Sequence, residues 1–381
     1  GTVLISPSLV PPTGPLSSAL GAQYGERPVV IVGGFLSGLG LFLASFATSL
    51  AQLYLFIGLL TGIGGALIFP PSMALVAQYF KRRRALANAL VFSGSGIASL
   101  AFSPLFQFLV DFYGWRGALL IVSGMAFNLV VCGALLRPLP LPKNSASMAP
   151  EWQGRCSRLA SLFGLSLLCQ RAFVIFCGSS VVIIAGYFMP FVHLVPYARE
   201  RGFDEYQAAF LLSAVGIADI AGRIVAGWLA HCGPLHLVHH LTLWTLLTGV
   251  ILLLMPLGYD YTLMMTLSVC YGFLSSAVIP LKFSTLVEIV GTDQIMGAIG
   301  LSHLMESFGA LSGPPLSGWI RDATGSYRAS FLAAGSIVIA GALVLLALPN
   351  YFSPLKKQSE EGKEEHNPAP TEDRGFGAEQ S

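Results

Sequence analysis

Near the middle of the chain runs the stretch SAVGIADIAGRIVAGWLAH, residues 213–231. It is apolar enough to sit in a bilayer, yet it carries Asp219 and Arg223, which share one face of a helix. An acid beside a guanidinium can do one of two things. The pair can merely neutralise itself. Or Arg223 can grip the carboxylate of a solute with both N–H arms, which frees Asp219 to take a proton. A charge at mid-bilayer costs about 3 kcal/mol on insertion scales, so it is kept where it is paired, hydrated or used. Counted from Tyr206 at 1.5 Å per residue, Asp219 lies roughly 20 Å along its helix, near the midplane. Arg223 lies one turn further.

Other polar residues fall in similarly apolar surroundings. Glu306 and His303 share the segment 295–319, one turn apart. They are either a satisfied polar patch between helices or a proton-accessible group facing the same cavity as Asp219. Lys282 lies nearer the end of its segment, where a lysine is expected to snorkel to the interface. Arg84 and Asn88 open the segment after the basic run Lys81–Arg84. The default for such a run is an interfacial anchor. Ser275 and Ser276 sit mid-segment, as pocket-lining or helix-packing serines. His231, His236, His239 and His240 fall close together but are too little to define a metal site, and no cofactor is implied. Six cysteines are scattered without a CxxC, as free thiols in packed helices.

What positions these residues is a membrane-spanning bundle. The chain has 381 residues, of which 54% are hydrophobic and 10% charged. A soluble chain carries about 25% charged residues, so a mean hydropathy of +0.70 cannot be a single oily core under a soluble shell. No basic patch interleaved with aromatics is present, which excludes nucleic acid as a partner. Spans of about 20 apolar residues fall near 3–22, 28–49, 52–76, 85–110, 116–136, 172–197, 207–230, 237–257, 262–288, 295–319 and 328–349. Between them, 137–171 is a Pro- and Ser-rich linker that separates a first half of five spans, 1–136, from a second half of six, 172–349. The polar tail 350–381 has no apolar face and is expected to be disordered. Basic residues crowd one set of loops: Arg27, the run at 81–84, the linker, Lys356 and Lys357. Those loops, the linker and the tail are therefore expected to be cytoplasmic.

The two halves carry a repeat. PLFQFLVDFYGWRGALL from Pro104 matches PLSGWIRDATGSYRASFL from Pro315 at Pro-Leu, at Asp111 and Asp322, at Gly114 and Gly325, and at Arg116 and Arg328. A weaker echo relates the stretch from Gly14 to that from Gly222. The matched Asp and Arg residues read as turn and helix-end locks. Paired halves of six spans are a transporter plan. Under it the second half's opening span, 172–197, has no counterpart, so the plan expects one more helix before residue 1.

Several stretches together carry a family resemblance: YGERPVVIVGG from Tyr24, YFKRRRALANALVFSGSG from Tyr79, FYGWRGALL from Phe112, GALLRP from Gly133, ADIAGR from Ala218 and GPPLSGWIRDATGSYRASF from Gly313. In these the chain resembles the monocarboxylate transporters of the major facilitator superfamily, on the side of its less-characterised members. The resemblance implies an all-α membrane fold and a small organic anion as cargo. It ties Arg223 and Asp219 to substrate and proton, makes Glu306 a family acid, and turns Arg84 and Asn88 to the cavity. It implies residence in the plasma membrane and allows a single-span immunoglobulin-like glycoprotein as escort. The family's opening signature, an acidic residue followed by Gly-Gly-Trp-Gly-Trp, does not occur in this sequence, nor does the first helix with its substrate-contacting lysine. Pro11 and Pro12 also replace the usual glycines.

Three functions compete. A gradient-driven carrier, proton-coupled or facilitative, fits the charges and the repeat. The sequence carries no GxxxxGK[ST] loop for ATP. A membrane enzyme would need an HExxH, a GxSxG elbow or clustered ligands, and none is present. A non-transporting variant, misrouted or regulating a complete carrier, stays open because the plan expects a further helix.

Overall fold

The computed structural model describes residues 14–80, 83–137, 165–232, 236–292 and 294–348. The linker core, the tail, Lys81, Arg82 and the start of the first span lie outside the described residues. Every regular element described is a helix. Apolar surroundings dictate this, since a helix satisfies all its own backbone polar groups. The elements are α1 (Gly14–Tyr24), α2 (Glu26–Ser45), α3 (Leu50–Tyr79), α4 (Arg84–Ala126), α5 (Asn128–Leu135), α6 (Arg171–Tyr187), α7 (Met189–Glu200), α8 (Glu205–Cys232), α9 (Leu237–Leu254), α10 (Tyr261–Ser275), α11 (Val278–Val290), α12 (Ile295–Thr324) and α13 (Tyr327–Leu345).

Among the described residues, eight helical segments are long and apolar enough to cross a membrane. They match eight of the expected spans. The segments near 3–22, 85–110 and 295–319 are not among them. The helix α12 is long enough, but its glycines and serines, His303 and Glu306 dilute its apolarity.

Local chemistry explains the irregularities. A π-turn over Tyr54–Thr61 widens α3, and the Thr61 hydroxyl donates to the Phe56 carbonyl at 3.1 Å. Two expected spans merge in α4, which doubles back at Gly114 with φ 70° and ψ 169°. Gly325, its counterpart in the repeat, ends α12 at φ 70°. Both need the freedom of a residue without Cβ. Arg116, just after the first of these turns, donates to the Ala47 carbonyl at 3.2 Å and locks two helix ends together.

The repeat extends to packing. Gly38 of α2 lies against the ring of Phe127 after α4, and Gly249 of α9 lies against Ile339 of α13. These are the same contact, one in each half. Gly34, one turn before Gly38, abuts the backbone of Leu129 and Val130, where a Cβ would come within 2.9 Å. The halves join chiefly through two helix pairs, α1 with α12 and α4 with α8, with further contacts of α4 with α11 and of α3 with α12. Under the repeat α1 corresponds to α8 and α12 to α4, so the two joints are also one contact seen twice. The main apolar core crosses the joint. Met73, Ala77 and Ala85 of the first half cluster with Phe173, Phe176, Leu281 and Phe283 of the second.

Candidate functional site

The joint between α4 and α8 carries the Asp219–Arg223 pair. Arg223 Nη2 lies 2.7 Å from Asp219 Oδ2, and both side chains are 11% exposed. The pair is not confined to its own helix. Arg223 Nη1 also donates to the Phe92 carbonyl of α4, and to Ser95 Oγ at 2.9 Å. Asp219 Oδ1 and Arg223 Nε are buried with no hydrogen-bond partner among the described residues. A buried acceptor and a buried N–H left unmatched are costly, which marks the pair as unfinished chemistry rather than a closed ion pair. The phenol of Tyr187 in α6 and that of Tyr271 in α10, which donates to the Tyr187 carbonyl at 2.7 Å, lie within electrostatic reach of the same acid.

A second charged cluster lies between α11 and α12. Lys282 Nζ is 2.7 Å from Glu306 Oε2, Ser302 Oγ donates to Glu306 Oε1 at 2.9 Å, and His303 Nδ1 lies 3.7 Å from the same carboxylate. The expectation that Lys282 snorkels is therefore wrong. The residue is 6% exposed, because an ion pair made inside the protein satisfies the ammonium without a reach to the interface. Glu306 is paired to a cation rather than standing alone.

Rings join the two clusters. Phe92 of α4 stacks on Phe283 of α11 at 5.5 Å and 18°. Phe69 of α3 packs 5.6 Å from Phe283 and edge-on to His303 at 5.0 Å. Lys282 Nζ lies 5.0 Å from the Phe283 ring centroid. One continuous assembly thus runs from Arg223 through Phe92 and Phe283 to Lys282 and Glu306, drawing on both halves.

The remaining expected residues are placed as follows. Asn88 is buried on α4 and donates to Ser284 Oγ of α11 at 3.0 Å, another bond across the halves. Arg84 starts α4 and donates to the Ala77 carbonyl at 3.2 Å. Phe92 lies about 12 Å further along α4 at 1.5 Å per residue, so Arg84 stands apart from the Arg223 assembly. Ser275 is fully buried, bonds weakly to the Gly272 carbonyl at 3.4 Å, and sits against Tyr187 and Tyr271. Ser276 bonds to the Phe273 carbonyl of its own helix at 2.6 Å, beside the close crossing at Gly222. His236 and His239 bring their rings to 6.1 Å, and among the described residues no three ligating side chains converge.

Phe69, Phe92 and Phe283 were not singled out in the sequence, because phenylalanine is common in any apolar helix. A signal for Lys282 was present. Two opposite charges left over in neighbouring apolar segments point to each other.

The arrangement is that of a membrane transporter: two repeated helical halves joined at the centre, with charges buried at the joint. Comparison with known proteins agrees. The Major Facilitator Superfamily model matches residues 8–237 and 238–377. Monocarboxylate transporter 13 of Rattus norvegicus is 48% identical over 339 residues, covering 89% of this chain and 77% of the relative. Monocarboxylate transporter 11 of Homo sapiens is 42% identical over 342 residues, covering 88% and 71%. Among solved structures, the E. coli fucose:proton symporter superposes with a TM-score of 0.73 at 15% identity, covering 91% of this chain and 90% of that one, which speaks for the fold alone. The chain belongs to the monocarboxylate transporter family of the major facilitator superfamily. Its homologues are transporters, which sets the enzyme reading aside.

Proposed function

We propose that the chain is a secondary carrier that moves a small monocarboxylate by alternating access, with a proton as co-substrate. The observation that carries this reading is the Asp219–Arg223 pair, buried at the joint between the halves with one oxygen and one N–H unmatched among the described residues. A carboxylate that takes Arg223 displaces Asp219. The released acid is then an unpaired charge among apolar groups, and a proton neutralises it. Cargo and proton enter together and the net charge of the site does not change. The Tyr187 phenol is the polar neighbour that would meet the protonated acid, while that of Tyr271 already donates to the Tyr187 carbonyl at 2.7 Å.

Alternating access is supported by where the halves touch. Close contacts between them run along the Arg84 side of α4 and reach Gly96, where an added Cβ would meet Ile220 of α8 at 2.7 Å. Gly227 of α8 abuts Ala85 and Ala89, Asn88 meets Ser284, and Gly21 of α1 abuts Met296 of α12. The basic loops support a cytoplasmic Arg84 side. We therefore read the joint as closed on the cytoplasmic side, with halves 1–136 and 172–349, and with the linker and tail cytoplasmic. Asn88 belongs to the inner closure, Arg84 to its edge, and Ser275 to the wall behind Tyr187. Glu306 is a second acid that can take a proton. Plasma-membrane residence and an immunoglobulin-like escort rest on the family resemblance alone.

Uptake of a labelled monocarboxylate panel by proteoliposomes, with and without an inward proton gradient, tests the reading. Uptake that rises with the gradient supports it. No uptake of any member by correctly inserted protein overturns it and leaves the non-transporting variant.

A further inference from the structure

Lys282 has no part in the function just described, yet its placement is costly. A lysine buried to 6% between membrane helices loses its hydration, and a single carboxylate repays this only in part. A pair kept purely for packing is replaceable by apolar residues of similar volume without loss. This pair instead sits beside the ring of Phe283, which stacks on Phe92, the residue whose main-chain carbonyl accepts from Arg223. An ammonium has three donors. Among the described residues Lys282 donates to Glu306, and it also lies near the face of the Phe283 ring. The groups facing Glu306 are Lys282 from α11, Ser302 and His303 from α12, and the Cys177 thiol from α6.

We propose that Lys282 is a second anchor for the anionic cargo: its ammonium takes a carboxylate in exchange for Glu306, beside the Phe283 ring that stacks on Phe92. The chemical balance mirrors the first pair. The incoming carboxylate bonds to the ammonium, the Glu306 carboxylate is released, and it takes one proton. The cluster gains one anion and one proton, and its net charge is unchanged. No covalent bond forms. The ligand class is a compact carboxylate with an apolar body, since the Phe283 ring, stacked on Phe92, lies 5.0 Å from the ammonium. This inference deepens the transport reading and rests on it for the identity of the ligand class. It does not require that the bound anion be carried across.

The test is ligand-dependent thermal stabilisation of the purified full chain in detergent, with pyruvate and benzoate as probes. Lys282→Met/Glu306→Gln removes both charges together, so neither is left buried alone. Lys282→Arg keeps the cation. The double variant is expected to melt near the wild type without ligand and to need at least about tenfold more carboxylate for the same stabilisation. Lys282→Arg is expected to stay within about threefold of the wild type, as a retained charge-assisted contact allows. Equal dose-response curves for the wild type and the double variant would overturn the proposal. So would a wild type stabilised by neither probe. Uptake by proteoliposomes of the same preparations separates this from the transport reading. Binding that depends on Lys282 without uptake would sink carriage and leave the anchor standing.

Discussion

The guanidinium of Arg223 donates to the main-chain carbonyl of Phe92, so the buried cation of one half is held by the backbone of the other. A cargo carboxylate that claims the same guanidinium competes with Asp219 and also with this bond and the one to Ser95. Under the proposed mechanism, cargo binding and the loosening of the joint are one event. Arg223→Lys keeps the charge but loses the planar fork. It is expected to raise KM for carboxylate by about tenfold or more, a loss of roughly 1.4 kcal/mol of binding. Arg223→Leu leaves Asp219 unpaired, at a cost of about 3–5 kcal/mol. Arg223→Leu/Asp219→Asn should recover the folded yield but not the uptake. Uptake kinetics and thermal melting of the three variants check this.

Asp219→Asn keeps the shape of the side chain and removes its proton chemistry. Accumulation driven by a proton gradient should be lost, because no acid remains there to be neutralised as the cargo takes Arg223. Exchange of labelled for unlabelled cargo at equal pH should persist. Parallel loss of both activities would show that Asp219 only holds Arg223 in place.

Asn88 and Ser284 meet across the halves at 3.0 Å on the side where the joint is closed. Cysteines at both positions, in a chain whose own cysteines are replaced, should form a disulfide under oxidation and trap that closure. Uptake should stop on oxidation and return on reduction. Full uptake by the cross-linked protein would mean that these helices need not part.

Gly114 and Gly325 share φ 70° but differ in ψ, at 169° and 10°. The second conformation is left-handed helical, which asparagine tolerates. The first lies in a region open essentially to glycine, where another residue costs of order 1–3 kcal/mol. Gly325→Asn should therefore melt within a few degrees of the wild type, while Gly114→Asn should be clearly destabilised. Gly124→Ala, at a helical position with nothing within 4 Å of the added Cβ, is the control.

Much of this was legible in the sequence, for reasons tied to particular residues. The spacing of Asp219 and Arg223 placed them on one helix face, and helical geometry made their pairing inevitable. Gly114 and Gly325 were visible as a repeated pair, but the pattern assigned the turn role to the Asp and Arg residues beside them. Lys282 was misread because depth along a helix says nothing about which neighbour lies beside it, and Glu306 sits on a different helix. The stack of Phe92 on Phe283 joins residues far apart in the chain, and nothing in an apolar run distinguishes a ring facing the joint from one facing lipid. Arg84 opens its helix as expected, but only the packing shows how far it stands from Arg223.

The central claim is that an anion entering at Arg223 brings a proton with it. The most direct measurement is the internal pH of dye-loaded proteoliposomes when a carboxylate is added outside, with protein-free vesicles and the Arg223→Leu/Asp219→Asn variant as controls for free diffusion of the acid. Acidification well above both controls, saturating with carboxylate, is the expected result. Acidification equal to the controls, in vesicles that take up the labelled carboxylate, would contradict proton coupling at this pair.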